Sequence, residues 1–135
     1  MNNQTGKERR LKPRYAADVT CTVALAEPEY SLLFPNEKLH CRTRDVSESG
    51  LGLVSNSIYL GYTCVVDEGR VLLVSLELPA GALELEATPA HYVRLADAGA
   101  SATTYLIGLR IGDVSVEARA AYAAFLDSLA EKAGD

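Results

Sequence analysis

Residues that ligate metals or carry out nucleophilic chemistry are scarce. The 135-residue chain has three cysteines (Cys21, Cys41 and Cys64) and two histidines (His40 and His91). None falls into a CxxC or HxxxH spacing, which argues against a zinc site. An odd, widely spaced set of cysteines fits buried thiols in a reducing compartment better than a disulfide framework. Neither histidine stands in a nucleophile elbow or triad context, so nucleophilic catalysis by Ser or Cys has no evident base. No GxxxxGK[ST] or GxGxxG motif is present, and Gly50-Leu51-Gly52 is too short for a phosphate loop. No apolar stretch approaches the roughly 18 residues of a membrane span. The opening residues, MNNQTGKERRLKPRY, lack the apolar segment of a secretory signal. A cytoplasmic protein without membrane insertion is therefore expected.

What is present is an ordinary globular mix, 48% apolar and 23% charged, in a chain the length of one domain. A chain of this size buries about two-thirds of its unfolded surface and needs no staple. The net charge of −5 is unevenly placed: residues 1–14 carry +4 and the remainder −9. An acidic body with only 7% aromatic residues disfavours a nucleic-acid polymer as partner. A basic head suits one compact anion held by a local arginine cluster.

The pattern along the chain predicts strands and then one helix. Residues 18–25 alternate, with Val19, Cys21, Val23 and Leu25 on one face. In residues 38–46, Leu39, Cys41 and Thr43 point one way and His40, Arg42 and Arg44 the other. Residues 50–55 form a short strand entered through a glycine turn. Residues 71–78 and 82–95 form two longer strands around a Pro79-Ala80-Gly81 turn, and Pro89 signals a bulge or an edge. Residues 103–111 form the last strand. From Val114 the period changes: Ala118, Tyr122, Phe125 and Leu129 recur at helical spacing, Asp113 or Ser115 caps the start, and Gly134 ends it. Residues 56–70 and the loop 27–37 stay unassigned, with Ile58, Tyr59 and Leu60 suited to a single helical turn. The expected architecture is mainly β, a small antiparallel barrel or curled sheet with one C-terminal helix beside it. Residues 1–14 are expected to be a flexible basic segment, and residues 15–135 the barrel domain with its helix.

Two constellations carry chemistry. Arg10-Leu11-Lys12-Pro13-Arg14 holds arginines whose planar forks bind phosphate or a guanine edge bidentately. Pro13 restricts the segment and lowers the entropy lost on closing over a ligand. Asp45-Val46-Ser47-Glu48-Ser49-Gly50 follows a strand. On extended backbone Asp45 and Ser47 share a face. The carboxylate can accept from the N1 and N2 donors of guanine, with a hydroxyl beside it. Gly50 supplies either positive φ or a close backbone approach.

Arg10 and Arg14 match an RxxxR motif, and Asp45, Ser47 and Gly50 match a (D/N)xSxxG motif about thirty residues later. In this pairing and order the chain resembles the PilZ domain family of bacterial cyclic di-GMP receptors, over residues 7–130. The resemblance implies a six-stranded antiparallel PilZ-type barrel with Arg10 and Arg14 on a loop that wraps cyclic di-GMP. It assigns those arginines to phosphate oxygens and the O6/N7 edge of guanine, and Asp45 and Ser47 to the other edge. Arg9, just before the motif, goes in such proteins with an intercalated pair of nucleotides, and a pair's four phosphate charges suit an extra cation. If Val93 and Leu95 face the interior, Tyr92 points outward to stack on guanine and Arg94 to reach a phosphate. The expected protein is a receptor and not an enzyme, signalling through its N-terminal loop to an unidentified downstream protein. The alternative is a PilZ-like scaffold of pilus or flagellar function that binds no nucleotide.

Overall fold

The computed structural model describes residues 13–26, 37–95 and 103–134. Nine strands precede the helix among these residues: β1 (Tyr15–Ala16), β2 (Thr20–Leu25), β3 (Leu39–Val46), β4 (Gly50–Ser55), β5 (Tyr59–Leu60), β6 (Thr63–Cys64), β7 (Leu72–Leu78), β8 (Gly81–Leu95) and β9 (Thr104–Ile111). The helix, α1, spans Val116–Gly134. The main sheet runs β1-β3-β2-β7-β8-β9-β4, and β4 pairs again with β3. Six antiparallel strands thereby close into a barrel, and β1 is one extra strand on the end of β3. No helix among the described residues is long and apolar enough to cross a membrane.

Period-two alternation builds the core. Cys21, Val23 and Leu25 of β2, Leu39, Cys41 and Thr43 of β3, and Leu51 and Leu53 of β4 all point inward. Leu72, Val74 and Leu76 of β7, Leu83, Leu85 and Ala87 of β8, and Ile107 and Leu109 of β9 complete the ring. Each large apolar side chain buried this way contributes about 1.5–3 kcal/mol. Thr43 is the polar member of the inward set; its hydroxyl donates to the Ala17 carbonyl and accepts from the Val19 amide, joining β3 to the link between β1 and β2.

Two expectations are corrected. Ile58, Tyr59 and Leu60 form no helical turn. Tyr59–Leu60 pairs with Thr63–Cys64 as a hairpin, and Gly61 at φ 60° reverses the chain in two residues. Ile58 and Leu60, with Val65 and Val66, are buried in the core. Nor do Val93 and Leu95 face the interior: they are 50% and 36% exposed. The cause is a bulge between Pro89 and His91 on the β8–β9 ladder. One extra residue inverts the alternation beyond it. Before the bulge Ala87 is inward; after it Tyr92 shares a rung with inward-facing Ile107.

Ser115 caps α1, accepting from the Ala118 amide at 3.1 Å. The stripe Ala118, Tyr122, Phe125, Leu126 and Leu129 packs on the core. Helical period and strand period thus meet at one apolar seam beside the β3–β4 turn.

Candidate functional site

The β3–β4 turn is held from three sides. The Ser47 amide donates to the Gly50 carbonyl at 2.9 Å, and the Gly50 amide donates back to Ser47 Oγ at 3.1 Å. The Ile111 amide donates to the Ser49 carbonyl at 2.9 Å, tying the turn to the end of β9. From the helix, Tyr122 Oη donates to the Ser47 carbonyl at 2.6 Å. Burial pushes the Tyr122 phenol above its usual range, against the opposing effect of the nearby Arg14 charge.

Asp45 and Ser47 do not share a face. A register shift between Thr43 and Asp45 precedes them, and the chain leaves the strand after Val46. Ser47 is fully buried with its hydroxyl engaged within the turn, whereas Asp45 stands outside the barrel. Gly50 resolves to close approach and not positive φ: a Cβ there would lie 2.7 Å from the Leu109 carbonyl oxygen.

Strand β1 brings the two motifs together. Tyr15 pairs with Val46 and Ala16 with Asp45, so Arg14 arrives at the Asp45 carboxylate. Its Nε and Nη2 donate to Asp45 Oδ1 at 3.0 and 2.6 Å. Oδ2 carries no hydrogen bond among the described residues. Arg14 Nη1 lies 3.7 Å from the position a Cβ would take on Gly50. The side chains are 51% and 29% exposed, so the pair is a surface one worth about 0–1 kcal/mol. A ligand can rearrange it at little cost.

Beside this pair lies a floor without side chains. Asp45 pairs with Gly52, Gly52 with Gly108, and Gly108 with His91, in one row across β3, β4, β9 and β8. Asp45 leans over Gly52, where a Cβ would meet Oδ1 at 2.7 Å; His91 leans over Gly108 in the same way. Arg110, exposed and opposite Gly50, adds a cation at the rim. A groove of about 800 Å³ adjoins along the outer face of β2, β3 and β4, bordered by Ala16, Arg42 and Arg44. Arg42 is tied there to Asp18 at 2.6 Å and to Thr20 at 3.2 Å. The volume is that of a small-molecule site.

Arg14, Asp45 and Gly50 are thus brought together, with Ser47 beneath them. Arg9 and Arg10 lie outside the described residues. Tyr92 and Arg94 are not brought to this floor. They share rungs with Ile107 and Tyr105, on the opposite face from His91, and the Tyr92 ring sits 6.5 Å from that of Tyr105. Sequence reasoning missed Gly52, Gly108, Arg110 and His91. Their signal is a register, not a motif: two glycines with no special spacing come into line only when β4 and β9 pair.

The chain matches the PilZ domain over residues 8–128. Among solved structures it is similar to the PilZ domain with c-di-GMP of YcgR from Escherichia coli, at 20% identity and a TM-score of 0.66, covering 93% of this chain and 94% of that one. MrkH of K. pneumonia in its apo state has 16% identity and a TM-score of 0.69 over 93% of this chain and 52% of that one. The Borreliella burgdorferi PlzA protein in complex with c-di-GMP has 10% identity and a TM-score of 0.60 over 98% and 57%. This chain therefore spans about half the length of the last two. No curated relative matches it. At these identities the solved structures speak for the fold, and the matched domain, with its motif residues converging outside a closed barrel, makes this chain a member of the PilZ domain family.

Proposed function

We propose that the chain is a receptor for cyclic di-GMP, acting by binding and not by catalysis. The observation that carries this reading is the Arg14–Asp45 contact at the edge of a glycine floor, from residues 31 apart in sequence. Arg14 Nη1 and Asp45 Oδ2, which carry no hydrogen bond among the described residues, offer a donor and an acceptor side by side. A guanine presents O6 and N7 as acceptors along one edge and N1 and N2 as donors along another. Each bidentate contact of this kind is worth roughly 1–3 kcal/mol, more than the surface ion pair it replaces. Solved relatives in complex with c-di-GMP share the fold and support the choice of ligand.

In this reading Arg14 and Asp45 contact the nucleotide, Gly50 keeps the approach open and Ser47 fixes the turn that presents them. Arg10, four residues before Arg14 in RxxxR, takes a phosphate or the second guanine edge. Arg9 adds the cation that favours an intercalated pair, for which the adjoining groove leaves room. Closure of Arg9, Arg10 and Arg14 over the phosphates alters the surface offered to a downstream protein.

Titration calorimetry with cyclic di-GMP tests the reading. Micromolar or tighter binding is expected, weakened at least tenfold by Arg10→Ala or Arg14→Ala. Binding that survives both substitutions removes the assigned site. Two nucleotides per chain are expected, falling to one in Arg9→Leu; an unchanged ratio discredits Arg9 as the determinant.

A further inference from the structure

We propose that the His91 imidazole is the platform on which a guanine of cyclic di-GMP stacks; this rests on the receptor reading and deepens it. The ring lies flat on the barrel. From the position a Cβ would take on Gly108, Cε1 is 2.3 Å away, Nε2 2.7 Å and Nδ1 2.8 Å. A ring met edge-on would hold its two nitrogens well beyond the carbon that separates them. Near-equal distances mean that one face of the imidazole rests on the glycine and the other is turned outward. His91 is exposed, so that outer face is open to a ligand.

Its neighbours give the platform a use. The Asp45 carboxylate lies over Gly52 in the same way, its Oδ1 and Oδ2 at 2.7 and 3.1 Å from the Cβ position there. Gly52 and Gly108 are directly paired, on strands about 4.8 Å apart. A flat π-surface, a carboxylate and the Arg14 guanidinium therefore follow one another along a single outer row. A purine resting on the imidazole has its edge over β4, on the side of Asp45 and Arg14. Stacking holds the base, and those two groups read which base it is. Tyr92 does not compete for this role, being placed beside Tyr105 on the other face. The glycine under the ring is part of the device, since any side chain at residue 108 displaces the imidazole.

Calorimetry with cyclic di-GMP on the native chain, His91→Ala and His91→Phe gives the first readout. His91→Ala is expected to weaken binding about five- to 150-fold, the range of base–aromatic stacking. His91→Phe, which keeps a flat ring, is expected to stay within about threefold of the native chain by the same reasoning. The chain contains no tryptophan. His91→Trp therefore introduces a single reporter, whose fluorescence is expected to be quenched as cyclic di-GMP saturates the site. Native binding with His91→Ala unchanged, or calorimetric binding to His91→Trp with no change in emission, overturns the platform and leaves the receptor intact. Failure of the native chain to bind cyclic di-GMP overturns the receptor reading, and the platform with it.

Discussion

Tyr122→Phe isolates the bond by which the helix holds the motif turn. The phenol is 6% exposed, and its Oη donates to the Ser47 carbonyl at 2.6 Å. Phenylalanine keeps the ring and its contacts with the core, so no cavity opens. What is lost is one buried hydrogen bond, and the Ser47 carbonyl is left without that donor. Stranding a buried acceptor costs about 1–3 kcal/mol, against about 0.5–1.5 kcal/mol for a bond replaced by water. Ser47 and Tyr122 are both buried, so the larger figure applies and a loss of about 2 kcal/mol is expected. In a domain of this size each kcal/mol lowers Tm by about 3–5 °C. The effect also depends on pH. Burial raises the folded-state pKa of the phenol above its unfolded value of 10.0. The stabilisation is therefore fully present below pH 10 and is lost as pH rises toward the folded pKa. Urea unfolding of both chains, followed by circular dichroism, should show a constant gap from pH 6 to 9 that narrows above 10. A gap under about 0.5 kcal/mol at pH 7, the level of an ordinary surface substitution, would refute the claim that this bond holds the turn.

Other substitutions separate the floor from the frame. Gly50→Ala forces a Cβ to 2.7 Å from the Leu109 carbonyl, a backbone atom that cannot step aside, and is expected to cost about 1–3 kcal/mol in urea unfolding. Gly108→Ala meets only the movable His91 ring, so little loss of Tm but a clear loss of cyclic di-GMP affinity is expected from paired melting and calorimetry. Cys21 and Cys41 face each other across β2 and β3, both buried, and the neighbouring Cys41 sulfur together with burial holds the Cys21 thiol protonated. Thiol titration of the native chain should therefore show Cys64, which is half-buried, reacting first and the other two only on unfolding.

The strands were legible because the barrel obeys a two-residue period on its inner face. Residues 50–55 were read with the bounds observed, and the helical stripe from Ala118 to Leu129 packs as its spacing implied. Local turn chemistry also carried through: Pro79-Ala80 joins β7 to β8, and Pro89 stands at the bulge. Illegible were the consequences of irregularity. A proline announces a bulge but not which side the chain resumes on, so Tyr92 and Arg94 were given the face that His91 occupies. Spacing alone puts Asp45 and Ser47 on one face, although the end of β3 turns Ser47 under the site. The convergence of Arg14 on Asp45 was legible only as a family resemblance, since nothing local in either motif encodes the pairing of β1 with β3.

In the receptor reading proposed above, the glycine row explains why recognition would sit on the outside of this barrel. A glycine within a strand costs roughly 0.5–1 kcal/mol relative to alanine, so Gly50, Gly52 and Gly108 together weaken the sheet where β4 meets β9. The same two strands bury Leu51, Leu53, Ile107 and Leu109 on their inner face, each worth about 1.5–3 kcal/mol. The inner row outweighs the deficit of the outer one. Alternation thus divides the labour within single strands: Leu51 and Leu53 of β4 hold the barrel closed, and Gly50 and Gly52 leave its outer face bare at that end. Bareness lets the Asp45 carboxylate and the His91 ring lie down against the backbone instead of standing on it, and Arg14 reaches across to the first of them. Methyl groups at Gly52 and Gly108 would leave the core unchanged and lift both side chains from the floor. In that reading, selectivity for a flat, anionic ligand resides in atoms the sequence omits, above a core built from the opposite face of the same strands.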